Sequence, residues 1–181
     1  MINNITKKCL LQAARDSINH YCTNKTYIPK KQLVIVNDPV LNQPSGVFVT
    51  LNMNGKLRGC IGSINADRSL IDQVILHSVN AAFKDSRFKP VERKDIGKLS
   101  IEVSVLTKPK PVKSTTEIDI KKHGIILHKN NKRSVFLPKV ARDNKWDLKT
   151  TLTNLAVKAG MDKDDWKQNA SCFVFEAIEL K

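Results

Sequence analysis

Acidic residues are scarce in this sequence: 17 Asp plus Glu stand against 31 Lys plus Arg across 181 residues, a formal charge of +14. Long apolar runs are also missing. No stretch approaches the ~18 residues a membrane span needs, and the start, Met1-Ile2-Asn3-Asn4-Ile5-Thr6-Lys7-Lys8, lacks the apolar core of a signal peptide. The expectation is a soluble, cytoplasmic chain. The four cysteines, at 9, 22, 60 and 172, form no Cys-x-x-Cys unit, which excludes the spacing of a zinc site or a thiol redox pair, and no metal site is expected. The seven glycines never fall into a G-x-G-x-x-G or Walker pattern, so a phosphate-cradling loop is excluded as well. Aromatics amount to 6% and the cations comprise 24 Lys but only seven Arg, which weighs against base stacking and phosphate recognition.

What the chain does have is enough apolar material, 41%, for a core at a length suited to one domain or two joined halves. Leu10, Leu11, Ala14, Ile18 and Tyr21 recur at helical spacing, predicting a helix from Thr6 to about Tyr21 with Thr6 as its cap. Residues 24–46 read as loop, interrupted by the short apolar run Leu33-Val34-Ile35-Val36. Val47 to Leu51 reads as a buried strand, and Asn54-Gly55 is the tight-turn dipeptide that returns the chain through Leu57 to Gly62 as a hairpin. A second helix runs from Ser69 to about Phe83, and Leu99, Ile101, Val103 and Val105 alternate with polar residues as a half-buried strand. Lys108-Pro109-Lys110-Pro111 ends that strand and offers a seam. Beyond it come a second hairpin across Gly124–Leu137, a helix from Asp147 to Ala159, and a closing strand from Cys172 to Leu180. Hairpins mixed with crossover helices predict an α+β fold of mainly antiparallel sheet. The seam suggests a larger subdomain of 1–112 plus 171–181 and a smaller one of 113–170.

Two segments could carry chemistry. In Leu57-Arg58-Gly59-Cys60-Ile61-Gly62, two glycines bracket a cysteine directly after a turn, so a small molecule could approach the main chain. Arg58 favours the thiolate electrostatically, the condition for a nucleophile or ligand. The alternative is a small buried hydrophobe in a bulge. In Ala81 to Val91, Asp85 and Arg87 sit two apart where a helix runs into a loop. Arg87 suits a carboxylate or phosphate, or else the two residues tie the loop down. His123 and His128 flank a short strand in a basic stretch, Lys121–Lys149, that holds nine basic residues against two acids, but no serine or cysteine partner for them is fixed by sequence.

Leu57-Arg58-Gly59-Cys60-Ile61-Gly62, Ala81 to Val91, Ser104-Val105-Leu106, His123 to Leu127, Leu137 to Ala141 and Lys158-Ala159-Gly160-Met161, in that order, resemble the AMMECR-one domain family, known in prokaryotes as AmmeMemoRadiSam system protein A. Ser86 stands where that family usually has proline, and Lys139 where it usually has glutamine. The resemblance implies a larger and a smaller subdomain, each with antiparallel sheet, and a cleft between them near the hexapeptide. It also implies association with a Memo-like protein and a radical-SAM protein, but no defined reaction or cofactor. Within that frame one expectation is an enzyme or enzyme component acting on a small anionic molecule. Cys60 would be the nucleophile or ligand, Arg58 and Arg87 the charge clamps, Gly59 and Gly62 the close-approach positions, and Asp85 the residue that orients Arg87 or accepts a proton. A second is a non-catalytic protein-interaction module using the same groove. The third, nucleic-acid binding through residues 121–149, is the least favoured, since no helix-turn-helix, finger or RNA-recognition signature accompanies the charge.

Overall fold

A computed structural model describes residues 2–181. The chain divides into two compact units, one running up to Leu106 and completed by Ile178–Lys181, the other Thr107–Ala177. Each unit is built on a four-stranded sheet, so the α+β class expected from the pattern holds. None of the described helices is long and apolar enough to cross a membrane.

The first unit opens with helix α1, Asn4–Asn24. Its cap is Asn3, whose side chain accepts the Ile5 and Thr6 amides, each at 2.9 Å. Thr6 is therefore not the cap: it lies inside the first turn, fully buried, with its hydroxyl on Asn3 and Asp38. Strands β1 (Gly46–Met53) and β2 (Lys56–Ser63) form the hairpin. Asn54 and Gly55 take φ of 52° and 75°, the left-handed pair that a two-residue turn matching strand twist requires. Helix α2 (Leu70–Phe83) starts at Ser69, whose Oγ accepts the Asp72 amide, and β3 (Leu99–Leu106) returns antiparallel to β1. Val47, Val49, Leu51 and Val103 point to one face of this sheet and are fully buried with Leu10, Ala14 and Ile18 of α1 and Val74 of α2. The Leu33–Val36 run joins no strand, and Val34 is 88% exposed.

In the second unit, β4 (Lys110–Val112), β5 (Gly124–Lys129), β6 (Lys132–Phe136) and β7 (Ser171–Phe175) form a sheet in the order β4-β7-β5-β6, all antiparallel. Helix α3 (Pro138–Asn144) precedes α4 (Leu148–Lys158), which starts on an Asp147 cap as expected. Leu152, Leu155 and Ala156 of α4 pack with Ile125, Leu127 and Val174.

Two expectations change here. Lys110–Val112 and Ser171–Phe175, assigned by sequence to the larger half, pair with each other in the second sheet. The single closing strand is two strands: β7 belongs to the second sheet, and β8 (Ala177–Leu180) extends the first sheet beyond β3. The break falls at Glu176, whose carbonyl accepts the Thr107 amide and whose amide donates to Thr107 Oγ1, both at 2.9 Å, so both its main-chain groups are diverted from the ladders. Alternation alone does not reveal this, because both halves keep period 2.

Candidate functional site

Strand β2 is an edge of the first sheet, which orders its strands β2-β1-β3-β8. An edge residue exposes an N–H and a C=O with no ladder partner. At Cys60 the loop after α2 supplies both. Lys84 ends the helix, Phe88 N–H closes a turn on the Asp85 carbonyl at 3.0 Å, and the Asp85 carboxylate swings onto the strand. Its Oδ2 accepts the Cys60 amide at 2.8 Å, while Arg87 Nη2 donates to the Cys60 carbonyl at 3.0 Å. Arg87 also grips Asp85, with Nε on Oδ1 at 2.9 Å and Nη2 on Oδ2 at 2.7 Å, and its own amide reaches Oδ1 at 3.2 Å. The ion pair thus substitutes for a neighbouring strand at one residue.

Asp85 is only 5% exposed, and a buried charge persists only when paired and hydrogen-bonded. The Arg87 side chain is the main force holding its carboxyl down, to about 2. Burial opposes this, and the Cys60 and Arg87 amides add to it. The carboxylate therefore orients the Arg87 guanidinium and receives the Cys60 amide, and its lowered pKa makes it a weak proton acceptor near neutrality.

Cys60 Sγ lies on the opposite side of β2 from α2, 3.4 Å from Oγ1 of its register partner Thr50. Thr50 registers in turn with Glu102 on β3, so Cys60, Thr50 and Glu102 form one row across three strands. Thr50 and Glu102 are 4% and 7% exposed, and Lys181 Nζ sits 3.1 Å from the Glu102 carboxylate. Among the described residues four side-chain polar atoms of the first unit are buried without a hydrogen-bond partner: both ring nitrogens of His77 in α2, and two on the sheet. One is Ser104 Oγ, two residues along β3 on the same face as Glu102. The other is Arg58 Nη1. Arg58 is the unopposed residue of a bulge, because the register slips between Leu51 and Asn52, and its Nη2 donates to the Pro90 carbonyl at 3.1 Å.

The two glycines are used differently from the expectation. A Cβ on Gly59 would lie 2.0 Å from the Ala81 carbonyl of α2, and one on Gly62 would lie 2.3 Å from both the Phe48 ring and the Val47 carbonyl. Close approach is real at both, but the protein itself makes it: Gly59 lets α2 sit on the strand and Gly62 lets Phe48 cross it. His123 Nδ1 accepts the Asp119 amide at 3.0 Å, a local turn contact. No group of three or more His, Cys, Asp or Glu placed to hold a metal occurs among the described residues.

Thr50, Glu102 and Ser104 are the site residues that the sequence reading passes over. Their signal was present but faint: a lone polar residue in Val47-Phe48-Val49-Thr50-Leu51, and the polar half of the alternation in β3. Only the register makes them neighbours of Cys60.

An α+β chain of two sheets, with a thiol fixed on a polar sheet face by an edge-closing ion pair, is the class that fold and site define. The AMMECR1 family model matches residues 11–180, and this chain belongs to the AMMECR1 family. A protein of Methanosarcina barkeri is 31% identical across all of this chain and 92% of its own length, and one of Methanococcus aeolicus is 34% identical across 96% and 89%. The crystal structure of the uncharacterized protein PH0010 from Pyrococcus horikoshii superimposes with a TM-score of 0.90 at 30% identity, covering 98% of this chain and 92% of that one.

Proposed function

We propose that the protein is an enzyme or enzyme component whose working group is the Cys60 thiol and whose substrate is a small anionic molecule. The observation that carries this reading is that two of the orphaned buried atoms, Arg58 Nη1 on β2 and Ser104 Oγ on β3, belong to the sheet that bears the Cys60–Thr50–Glu102 row. Buried polar atoms without partners are few in native proteins, and a guanidinium N–H left unpaired calls for an anionic acceptor. Arg87 contributes differently: its Nε and Nη2 are taken by Asp85 and Cys60, but 56% of the side chain remains exposed and can present charge to an incoming anion. The thiol would act as nucleophile or as ligand, with the Thr50 hydroxyl beside the sulfur. Family resemblance adds a setting for the reaction, a cytoplasmic pathway shared with a Memo-like protein and a radical-SAM protein.

The test is differential alkylation with iodoacetamide followed by peptide mass mapping, since the chain holds four free thiols, of which Cys9 and Cys172 are buried and serve as internal references. Cys60 is expected to react faster than Cys22, and phosphate or a dicarboxylate to slow it in the wild type but not in Arg58→Gln. A Cys60 as inert as Cys9, unprotected by any anion, overturns the enzyme reading. Retention of a Memo-like or radical-SAM partner by such an inert protein would then favour the non-catalytic interaction module.

A further inference from the structure

The second unit holds a pocket of its own. Lys145 ends α3 in the left-handed conformation, φ 55°, and the turn sends the Trp146 amide back to the Ala141 carbonyl at 2.9 Å. That sets the indole beside Phe136, with ring centroids 5.8 Å apart. Against it lies a cavity of about 460 Å³ lined by Ile120, Lys121, Ala141, Arg142, Lys145 and Trp146. The lining divides into three apolar residues and three cations, with no carboxylate among them. Arg142 is engaged, with Nε 3.5 Å from Asp143 on the neighbouring position. Lys121 and Lys145 have no side-chain partner among the described residues, and neither has the Trp146 indole nitrogen. Trp166, by contrast, donates its indole N–H to Thr153 Oγ1 at 3.2 Å, as a partly buried tryptophan ordinarily does. The volume is that of a small-molecule site, and an apolar floor with a few convergent polar groups is how such sites are composed.

We propose that this pocket binds a small organic anion carrying a planar ring. The ring lies against Trp146, Ile120 and Ala141, and Lys121 and Lys145 pair the anionic group. This gives part of the basic stretch between Lys121 and Lys149 a local purpose: three of its nine cations line the pocket. A polynucleotide surface would instead need several stacking aromatics along a groove.

Trp146 is its own reporter. In Trp166→Phe it is the sole tryptophan, because the chain has two. Its fluorescence is titrated with AMP and with benzoate as ringed anions, adenosine as a ring without charge, inorganic phosphate as charge without a ring, and a deoxyadenosine oligonucleotide. The proposal expects a saturable change with at least one ringed anion, with its matched partial probes weaker by about tenfold, and a further loss of about tenfold in Lys121→Gln/Lys145→Gln at unchanged melting temperature. Should Trp166→Phe fail to fold, the shift of the Trp146 indole N–H resonance in the wild-type protein reads the same titration. Absence of saturation by both ringed anions up to about 10 mM, or an equal response in the double lysine variant, overturns the proposal. So does an oligonucleotide that binds more tightly with length while the mononucleotide does not bind.

Discussion

Asp85 accepts the Cys60 amide proton at 2.8 Å from 25 residues along the chain, so one buried carboxylate ties the end of α2 to the open edge of β2. Its removal should be felt at both places. Asp85→Asn keeps the shape but loses the charge that Arg87 grips, at an expected cost of about 2–4 kcal/mol, below the full value for a buried pair because Arg87 is half in solvent. Urea denaturation measures it. Arg87→Gln, which leaves the carboxylate buried and unpaired on that side, should also destabilise, whereas wild-type stability in both variants would show that the ion pair does not hold the edge.

The pH dependence of stability should show two separate acid limbs. His77 is 7% exposed with neither ring nitrogen hydrogen-bonded, and burial pushes its pKa below the usual value. The unfolded chain therefore takes up the proton first, near pH ~6.5, and stability falls as pH drops below that. Asp85 works the other way in sign of charge: held at about 2 in the fold against an ordinary aspartate value of 3.8, its contribution is intact above pH 3.8 and is lost as pH falls toward 2. His77→Phe should flatten the upper limb and Asp85→Asn the lower. Melting curves from pH 7 to 2 that lack either limb in the wild type would contradict the assignment.

Gly59→Ala should be among the most damaging small substitutions, because the new methyl meets backbone, the Ala81 carbonyl at 2.0 Å, and α2 must lift from the sheet. A loss of about 3 kcal/mol or more is expected. Gly97→Ala is the matched control: nothing lies within 4 Å of its added carbon, and the change should fall within about 0.5 kcal/mol of neutral. Thermal melts of the two proteins compare them directly.

Thr50→Val retains a β-branched side chain in a buried strand and removes the hydroxyl 3.4 Å from Cys60 Sγ. A hydroxyl that donates to sulfur stabilises the thiolate, so alkylation of Cys60 should slow by about threefold to tenfold while the fold is kept. An unchanged rate would remove Thr50 from the site.

How far the site could be read in advance follows from how local each feature is. Cys60, Asp85 and Arg87 were marked by their own short segments, yet nothing in those segments says that the carboxylate and guanidinium close onto the cysteine main chain. The glycines were marked as well, and their meaning changed: close packing by Ala81 and Phe48 occupies the space a ligand was expected to take. Glu102 was visible only as the polar half of an alternating strand, and Ser104 as that and as the first residue of a family-like segment.

By itself, the sequence determined what is local in energy. Asn54-Gly55 set the first hairpin because those two residues tolerate positive φ, Ser69 and Asp147 set helix starts because their side chains satisfy orphan amides, and the alternation in 99–105 set a strand, though one whose polar residues Glu102 and Ser104 are buried as well. Tertiary structure decided what depends on register and edges. It split Cys172–Leu180 between two sheets at Glu176, left Leu33–Val36 outside any strand, and aligned Cys60 with Thr50 and Glu102. The reason is the same each time: a strand's partner, and the fate of an unpaired edge N–H, are settled by residues far away in sequence, which no periodicity records.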